Sequence, residues 1–133
     1  MTAVDTNIVV RFVTRDHPAQ SAEARFLFDA GPIWIAKTVL LETRWVLRYF
    51  YGYDEAAIRD AFTELLGLEN VHMEDEACVA ASLALTAHGI DLADALHLSS
   101  RPPGAAFISF DRSFVRHANR AGAAKVSAPQ MLR

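Results

Sequence analysis

The sequence predicts a single α/β domain, with a central parallel sheet of about five short strands between two helical layers. Short apolar segments alternate with longer segments of helical periodicity along the whole chain. The 133 residues contain no repeat, low-complexity tract or linker, and their 52% hydrophobic content is enough for a substantial core. We therefore assign residues 1–133 to one three-layer α/β/α domain.

Glycine and proline separate most of the predicted elements. Pro18 favours the first turn of a helix, Gly31 and Gly89 end helices, and Pro102 stops another. Asp54 is placed to cap the fourth helix. The predicted strands cover residues 3–4, 33–36, 70–73, 105–110 and 125–128. The predicted helices cover 8–13, 18–30, 38–51, a segment from 54 to about 66, 75–88, 92–100 and 112–121.

Four acidic residues occur where an apolar segment passes into a helix, or on a helix flank: Asp5, Glu42, Asp94 and Asp111. The carboxyl ends of parallel strands meet at one edge of a sheet, where ligands bind. Carboxylates gathered there repel one another, and a divalent cation is the simplest reason to tolerate them. The pattern predicts a metal-dependent hydrolase.

Each acid also has a structural alternative. Asp5 and Asp111 could cap the helices that follow them, and Asp91 has the spacing of an N-cap three residues before Asp94. We expect Asp91 to cap the helix or to orient the metal ligands, and not to bind the metal ion itself. Asp94 falls at the positive end of its helix, which stabilises a carboxylate with or without a metal ion.

The helix that carries Glu42 has two apolar stripes. Glu42 borders the predicted core face, whereas Arg44 and Arg48 lie on the side expected to face solvent, and a salt bridge from Glu42 to an arginine remains an alternative. The predicted core face consists of Val39, Thr43, Val46, Leu47 and Phe50. The second stripe consists of Leu41, Trp45 and Tyr49, followed by Tyr51 and Tyr53. We expect this stripe to bind a partner, with packing inside the chain as the alternative.

Charge is distributed unevenly along the chain. Residues 1–100 contain fifteen acidic and seven basic residues, whereas residues 101–133 contain six basic residues and only Asp111. Arg112, Arg116 and Arg120 share one face of a predicted helix, which could follow an anionic polymer or simply face solvent. The single cysteine, Cys78, suits a reducing compartment, and Asp5 interrupts any signal-peptide segment, so we expect a cytoplasmic protein.

Four motifs together resemble the PIN-domain ribonucleases. Asp5-Thr6-Asn7 is similar to the opening motif of that family, and Leu40-Leu41-Glu42-Thr43 to the segment that carries its second acid. The segment Asp91-Leu92-Ala93-Asp94 is similar to the family's helix-start signature, and Ser109-Phe110-Asp111 to its strand-end motif, with serine where threonine is commoner. The motifs occur in the family's order over the whole chain, whose length resembles that of VapC-type toxins.

The resemblance implies an endoribonuclease that acts as the toxin of a toxin–antitoxin pair. It implies that Asp5, Glu42, Asp94 and Asp111 hold Mg²⁺ or Mn²⁺, which hard oxygen ligands suit better than zinc. Asn7, Asp91 and Ser109 would orient these ligands or a water molecule. The implied partners are an RNA substrate, which Arg112 and Arg116 could bind, a second copy of the chain, and a VapB-type antitoxin whose tail covers the acidic pocket.

Two other functions remain open. A receiver-like signalling domain also has an acidic Mg²⁺ pocket, but it requires an acidic pair after its first strand, where this chain has Thr6-Asn7. A catalytically silent PIN-like module would bind RNA or protein without cleaving it, and the presence of all four acids argues against it. A haloacid-dehalogenase-type phosphatase requires Asp-x-Asp at the first strand, which is absent.

Overall fold

A computed structural model describes residues 1–130, which contain seven α-helices and five short β-strands, with two helices in each of the first three connections between strands and one in the last. In chain order the elements are β1 (Thr2–Ala3), α1 (Thr6–Thr14), α2 (Pro18–Ala30), β2 (Ile33–Ile35), α3 (Lys37–Tyr49), α4 (Glu55–Gly67), β3 (Val71–Met73), α5 (Glu76–Thr86), α6 (Leu92–Ser99), β4 (Phe107–Ile108), α7 (Arg112–Arg120) and β5 (Val126–Ser127). Every predicted element is present, and the α/β class is confirmed. The last three residues of the predicted domain lie outside the described residues.

The strands form two parallel sheets. One contains β1, β2 and β3 in that order, with Ile33 in register with Thr2 on one side and Val71 on the other. The second contains β4 paired with β5. The predicted parallel pairing is confirmed, whereas the expectation of one five-stranded sheet is wrong.

The prediction of a strand over residues 105–110 was too long. The Ala105 N–H donates to the Pro102 carbonyl in a turn, at 3.1 Å, before the strand begins. After Ile108, the Ser109 hydroxyl accepts from the Asp111 N–H at 3.0 Å, so the backbone turns toward α7. Only two residues are left for the β4 ladder, and the short strand makes pairs with β5 alone.

Side-chain caps fix the starts of most of the helices, with α3 as an exception. The carboxylates of Asp5, Asp54, Asp91 and Asp111 each accept a backbone N–H three residues ahead, as the sequence predicts. Such caps satisfy backbone donors that a helix leaves unpaired, and each contributes about 1 kcal/mol to stability. Three of these four caps are also candidate site residues, so the start of α1, α6 and α7 is fixed by the same acids.

Two hydrophobic clusters pack against two different sides of α6. The larger contains β2, β3 and the inner faces of several helices, and it receives Leu92 and Leu96 of α6. The smaller receives Ala95 and Leu98 of the same helix and joins them to Phe114 of α7. Because α6 is packed on both sides, the position of Asp94 in its first turn is determined by the whole fold.

The buried and exposed residues of α3 agree only in part with those that the sequence predicts. Thr43 and Leu47 are buried, as the helical pattern predicts, and Leu40, which lay outside the predicted core face, is buried with them. Phe50 was expected in the core and is 72% exposed, because α3 ends at Tyr49 and Phe50 is its C-cap. Tyr51, Tyr53 and Leu41 pack instead against the larger cluster, so the prediction that they extend an exposed stripe is wrong.

Trp45 and Tyr49 are exposed as predicted, and with Phe50 they form the surface that we call the α3 aromatic patch. The Trp45 ring centroid lies 5.6 Å from that of Tyr49 and 5.5 Å from that of Phe50. Within residues 1–130, no helix is both long and apolar enough to cross a membrane.

Candidate active site

Asp94 and Asp91 lie together at the start of α6. The Asp91 carboxylate caps the helix by accepting the Asp94 N–H at 2.9 Å, and Asp94 follows in the first turn. Both side chains are partly buried. The positive end of the helix therefore carries two carboxylates within one turn.

Burial raises the pKa of the Asp94 carboxyl, and the negative charges of Asp91 and Asp111 raise it further. The charge of His97, one turn along α6, acts in the opposite direction. The fold thus brings three acids from two helix starts into one electrostatic environment, where Asp91 and Asp111 both disfavour the ionised form of Asp94. We call Asp91, Asp94 and Asp111 the acidic cluster.

Asp111 is held rigidly at the start of α7. Its carboxylate accepts the Phe114 N–H at 3.0 Å, while its own N–H donates to the Ser109 hydroxyl at 3.0 Å. The side chain remains exposed. One of its carboxylate oxygens is therefore oriented by the helix while the group stays accessible to a ligand, and Ser109 acts on it only through the backbone.

Asp5 follows β1 and caps α1, accepting the Ile8 N–H at 3.2 Å. It lines a cavity of ≈ 500 Å³ together with Asn7, Arg11 and Glu23, and none of the other three predicted metal ligands lines that cavity. The Arg11 guanidinium there donates to Gln20, Asp16 and the Tyr51 hydroxyl at 2.8, 3.1 and 2.9 Å. Arg11 is thus held by its own partners, and sequence periodicity gave no signal that it lies beside Asp5.

Glu42 is exposed on α3, and α3 packs against both α1 and α6. Its helix therefore lies between the elements that carry Asp5 and Asp94. Among the ion pairs of residues 1–130, none includes Glu42, so the salt-bridge alternative has no support there. The structure gives no direct contact between Glu42 and the acidic cluster.

Arg44 is placed differently from the sequence analysis, which set it on the solvent side. Its side chain is only 12% exposed, and its guanidinium lies 2.7 Å from the Glu55 carboxylate, between α3 and α4. Burial alone would lower the pKa of Arg44, but the hydrogen bond and charge of Glu55 and the charge of Asp91 raise it. A cation therefore lies within electrostatic reach of the acidic cluster.

The donors fit a hydrated hard cation better than a closed protein cage. Within residues 1–130, no three or more His, Cys, Asp and Glu side chains converge closely enough to hold an ion directly. Mg²⁺ keeps several water molecules and is often bound through one or two carboxylates, so it does not require such convergence. The candidate ligands offer only oxygen donors. Burial contributes most to the raised pKa of Asp94, and the charges of Asp91 and Asp111 add a repulsion that a cation would relieve.

Arg112, Arg116 and Arg120 are all exposed on α7, as predicted. The opposite side of the helix buries Phe114 and Ala118 in the smaller cluster. Arg112 directly follows Asp111, so the basic face of α7 begins at the acidic cluster.

Comparison with protein-family models matches the chain to one family. The family model described as the PIN domain matches residues 2–120, which include all four predicted metal ligands. Among curated proteins, none matches the sequence.

Proposed function

Because the chain belongs to the PIN-domain family, we propose that it is a Mg²⁺- or Mn²⁺-dependent endoribonuclease and the toxin of a toxin–antitoxin pair. PIN domains are generally nucleases. The observation that supports this function most directly is the acidic cluster at the starts of α6 and α7, where burial first and the charges of Asp91 and Asp111 second raise the pKa of Asp94. Such a cluster favours a divalent cation and, through it, the phosphate of a nucleic acid.

Each candidate residue has a distinct role in this proposal. Asp94 and Asp111 hold the cation directly or through water, and Asp5 and Glu42 complete the negative site from α1 and α3. A bound divalent ion supplies acidification of an attacking water and neutralisation of charge on the scissile phosphate. Asp91 fixes the helix start under Asp94, Ser109 fixes the turn before Asp111, and Asn7 lines the cavity beside Asp5.

Two exposed surfaces of the molecule support the proposed partners. The Arg112 and Arg116 side chains could neutralise backbone phosphates as RNA approaches the acidic cluster. The α3 aromatic patch, with Trp45 at its centre, is a surface for a second copy of the chain or for a VapB-type antitoxin. A basic antitoxin tail would suit the negative charge of the acidic cluster and would cover it.

The test is cleavage of a single-stranded RNA by the purified protein. We expect cleavage with Mg²⁺ or Mn²⁺ and none in excess EDTA. Asp5→Asn or Asp94→Asn should lower the rate by about 100-fold or more, because an ion ligand contributes several kcal/mol at the transition state. Asp60→Asn, at an exposed acid of α4, is the matched control and should cleave normally.

Full cleavage in EDTA would contradict the metal-dependent mechanism. RNA binding without cleavage in any divalent ion would instead identify a catalytically silent PIN-like module. For the toxin role, expression of the wild-type chain should arrest bacterial growth while Asp94→Asn should not. Co-expression of an antitoxin from a neighbouring reading frame should restore growth.

A further inference from the structure

Phe110 is the most exposed large apolar side chain of residues 1–130, at 89% of its full accessibility. It lies between Ser109 and Asp111, in the turn that joins β4 to α7. The neighbouring rings of Phe107 and Phe114 pack against each other with centroids 5.5 Å apart, and Phe110 makes no ring contact with either. Since burying a phenylalanine is favourable, a ring left in water beside two packed ones is available for a ligand.

The backbone around Phe110 is fixed on both sides. The Ser109 N–H donates to the Ser127 carbonyl at 3.1 Å, and the Asp111 N–H donates to the Ser109 hydroxyl at 3.0 Å. Asp111 then caps α7. The Phe110 ring is therefore carried on a rigid turn, and its Cα lies about 3.8 Å from that of Asp111 across one peptide bond.

We propose that Phe110 is a stacking platform for one base of single-stranded RNA, placed next to the acidic cluster. Bases of unpaired RNA stack on exposed aromatic rings, and proteins combine such rings with basic residues that follow the phosphates. Asp111, Arg112 and Ser113, which follow the ring, are all exposed and polar. Exposed Arg112 and Arg116 on α7 supply the positive charge that an RNA backbone requires.

This inference rests on the proposed function, which it deepens by giving the substrate a contact beside the site. Stacking depends on a flat ring, whereas simple apolar contact does not. The informative set is therefore Phe110→Ala, Phe110→Leu and Phe110→Tyr, with Phe26→Ala as the matched control. Phe26 is 73% exposed on α2, outside the acidic cluster and α7, and no role is assigned to it.

Binding of a labelled single-stranded RNA is measured by fluorescence anisotropy in an Asp94→Asn background, which prevents cleavage. Phe110→Ala and Phe110→Leu should raise Kd by about 5- to 150-fold, the range that corresponds to replacing one stacking side chain. Phe110→Tyr and Phe26→Ala should leave Kd unchanged. The slope of log affinity against log salt should not change in any of them, because the ring contacts no phosphate.

An RNA with single abasic positions gives the decisive comparison. At one position of the RNA, an abasic site should remove the stacked base and weaken binding to the Asp94→Asn protein. With that RNA, adding Phe110→Ala should weaken binding no further. Equal binding by Phe110→Ala, or equal binding by Phe110→Leu, would overturn stacking. Loss of self-association on sedimentation that accounts for the weaker binding would show that Phe110 instead contacts a second copy, and would also overturn it.

The two proposals fail differently. A wild-type protein that binds RNA but does not cleave it contradicts the nuclease function, while the Phe110 comparisons still decide the stacking contact. A wild-type protein that cleaves RNA, with Phe110→Ala indistinguishable from it in Kd and in kcat/KM, contradicts the stacking contact alone. A wild-type protein that neither binds nor cleaves RNA overturns both.

Discussion

Asp94 lies where burial and the charges of Asp91 and Asp111 hold the pKa of its carboxyl above the usual value of 3.8. In the metal-free protein, the folded state therefore binds a proton more readily than the unfolded state, and the free energy of unfolding falls as pH rises above about 3.8. Asp94→Asn removes this cost. In EDTA at pH 7 it should raise Tm by about 2–4 °C, since solvent screening limits the effect to about 1 kcal/mol or less.

The gain should disappear below the usual pKa, where Asp94 is protonated in both states. Thermal melts from pH 3 to pH 8 measure this dependence, and Asp60→Asn on α4 serves as the matched control for replacing one exposed aspartate. A stabilisation by Asp94→Asn that is as large at pH 3 as at pH 7 would show that charge repulsion is not its cause.

At the residue scale, sequence patterns predicted the capping roles and missed the contacts across helices. The Asp91 and Asp111 caps depend on residues three positions apart, so local spacing was sufficient. The Arg44–Glu55 ion pair joins two helices, and helical periodicity alone placed Arg44 in solvent. The exposure of Phe110 depends on where β4 ends, which is set by the Ser109 turn and not by the apolar run around it.

The basic face of α7 predicts a salt effect on RNA binding. If Arg112 and Arg116 contact phosphates, replacing either with alanine should weaken binding to all single-stranded RNA sequences about equally. The slope of log affinity against log salt should fall by about 0.7 for each phosphate that the variant no longer neutralises. Turnover of bound substrate should change little, because neither side chain is proposed to hold the cation.

Arg120→Ala is the internal comparison, since Arg120 lies at the far end of α7 from Asp111 and should change the slope least. Salt titrations of the three single variants test the gradient along the helix. Unchanged slopes for both Arg112→Ala and Arg116→Ala would mean that this face is simply solvated.

The α3 aromatic patch predicts a contact outside the chain. Trp45 is 51% exposed, yet its ring lies against Tyr49 and Phe50 in a continuous aromatic surface. Trp45→Glu should weaken self-association or antitoxin binding by about 2 kcal/mol or more, the loss expected at the centre of an interface. Sedimentation velocity and co-purification with the proposed antitoxin measure it, and circular dichroism should show an intact monomer.

Phe26→Glu on α2 introduces the same charge at another exposed aromatic position and should leave association unchanged. If the two variants behave alike, the weaker association reflects added charge and not the α3 aromatic patch.

At the element scale, the order and type of all twelve elements followed from glycine, proline and apolar spacing. The sheet could not be predicted in the same way. Which strands pair is decided by hydrogen bonds between distant segments, such as that from the Thr2 N–H to the Pro32 carbonyl at 2.8 Å. The end of α3 shows the same limit, because the residue at which the helix stops leaves Phe50 exposed while Tyr51 packs against the larger cluster.

At the scale of the whole molecule, the candidate site depends on packing that joins separate elements. Asp94 is positioned by two hydrophobic clusters that meet at α6, and Asp111 is joined to the same helix through Phe114 and the smaller cluster. The motifs predicted which acids are candidates, but distances between their carboxylates are tertiary facts. The charges of Asp91 and Asp111 act on Asp94. Asp5 caps α1 and Glu42 lies on α3, which packs against both α1 and α6.

This arrangement leads to a prediction for the stability of the whole protein. A cation that binds only the folded state raises the free energy of unfolding by about 2.7 kcal/mol at a concentration 100 times its Kd. For a domain of this size that corresponds to a rise in Tm of roughly 5–15 °C. We expect Mg²⁺ and Mn²⁺ to produce this rise, because they would relieve the repulsion at Asp94.

Asp94→Asn and Asp111→Asn should lose most of the response to Mg²⁺, even though the first is more stable than the wild type without metal. Asp60→Asn should respond fully, and NaCl at equal ionic strength should not reproduce the rise. Melting curves across a Mg²⁺ titration separate the two effects. Removing the like-charge repulsion shifts the Tm measured without metal, whereas cation binding sets how steeply Tm rises with Mg²⁺ concentration. A slope in Asp94→Asn equal to that of the wild type would place the cation elsewhere on the molecule and remove the acidic cluster from the mechanism.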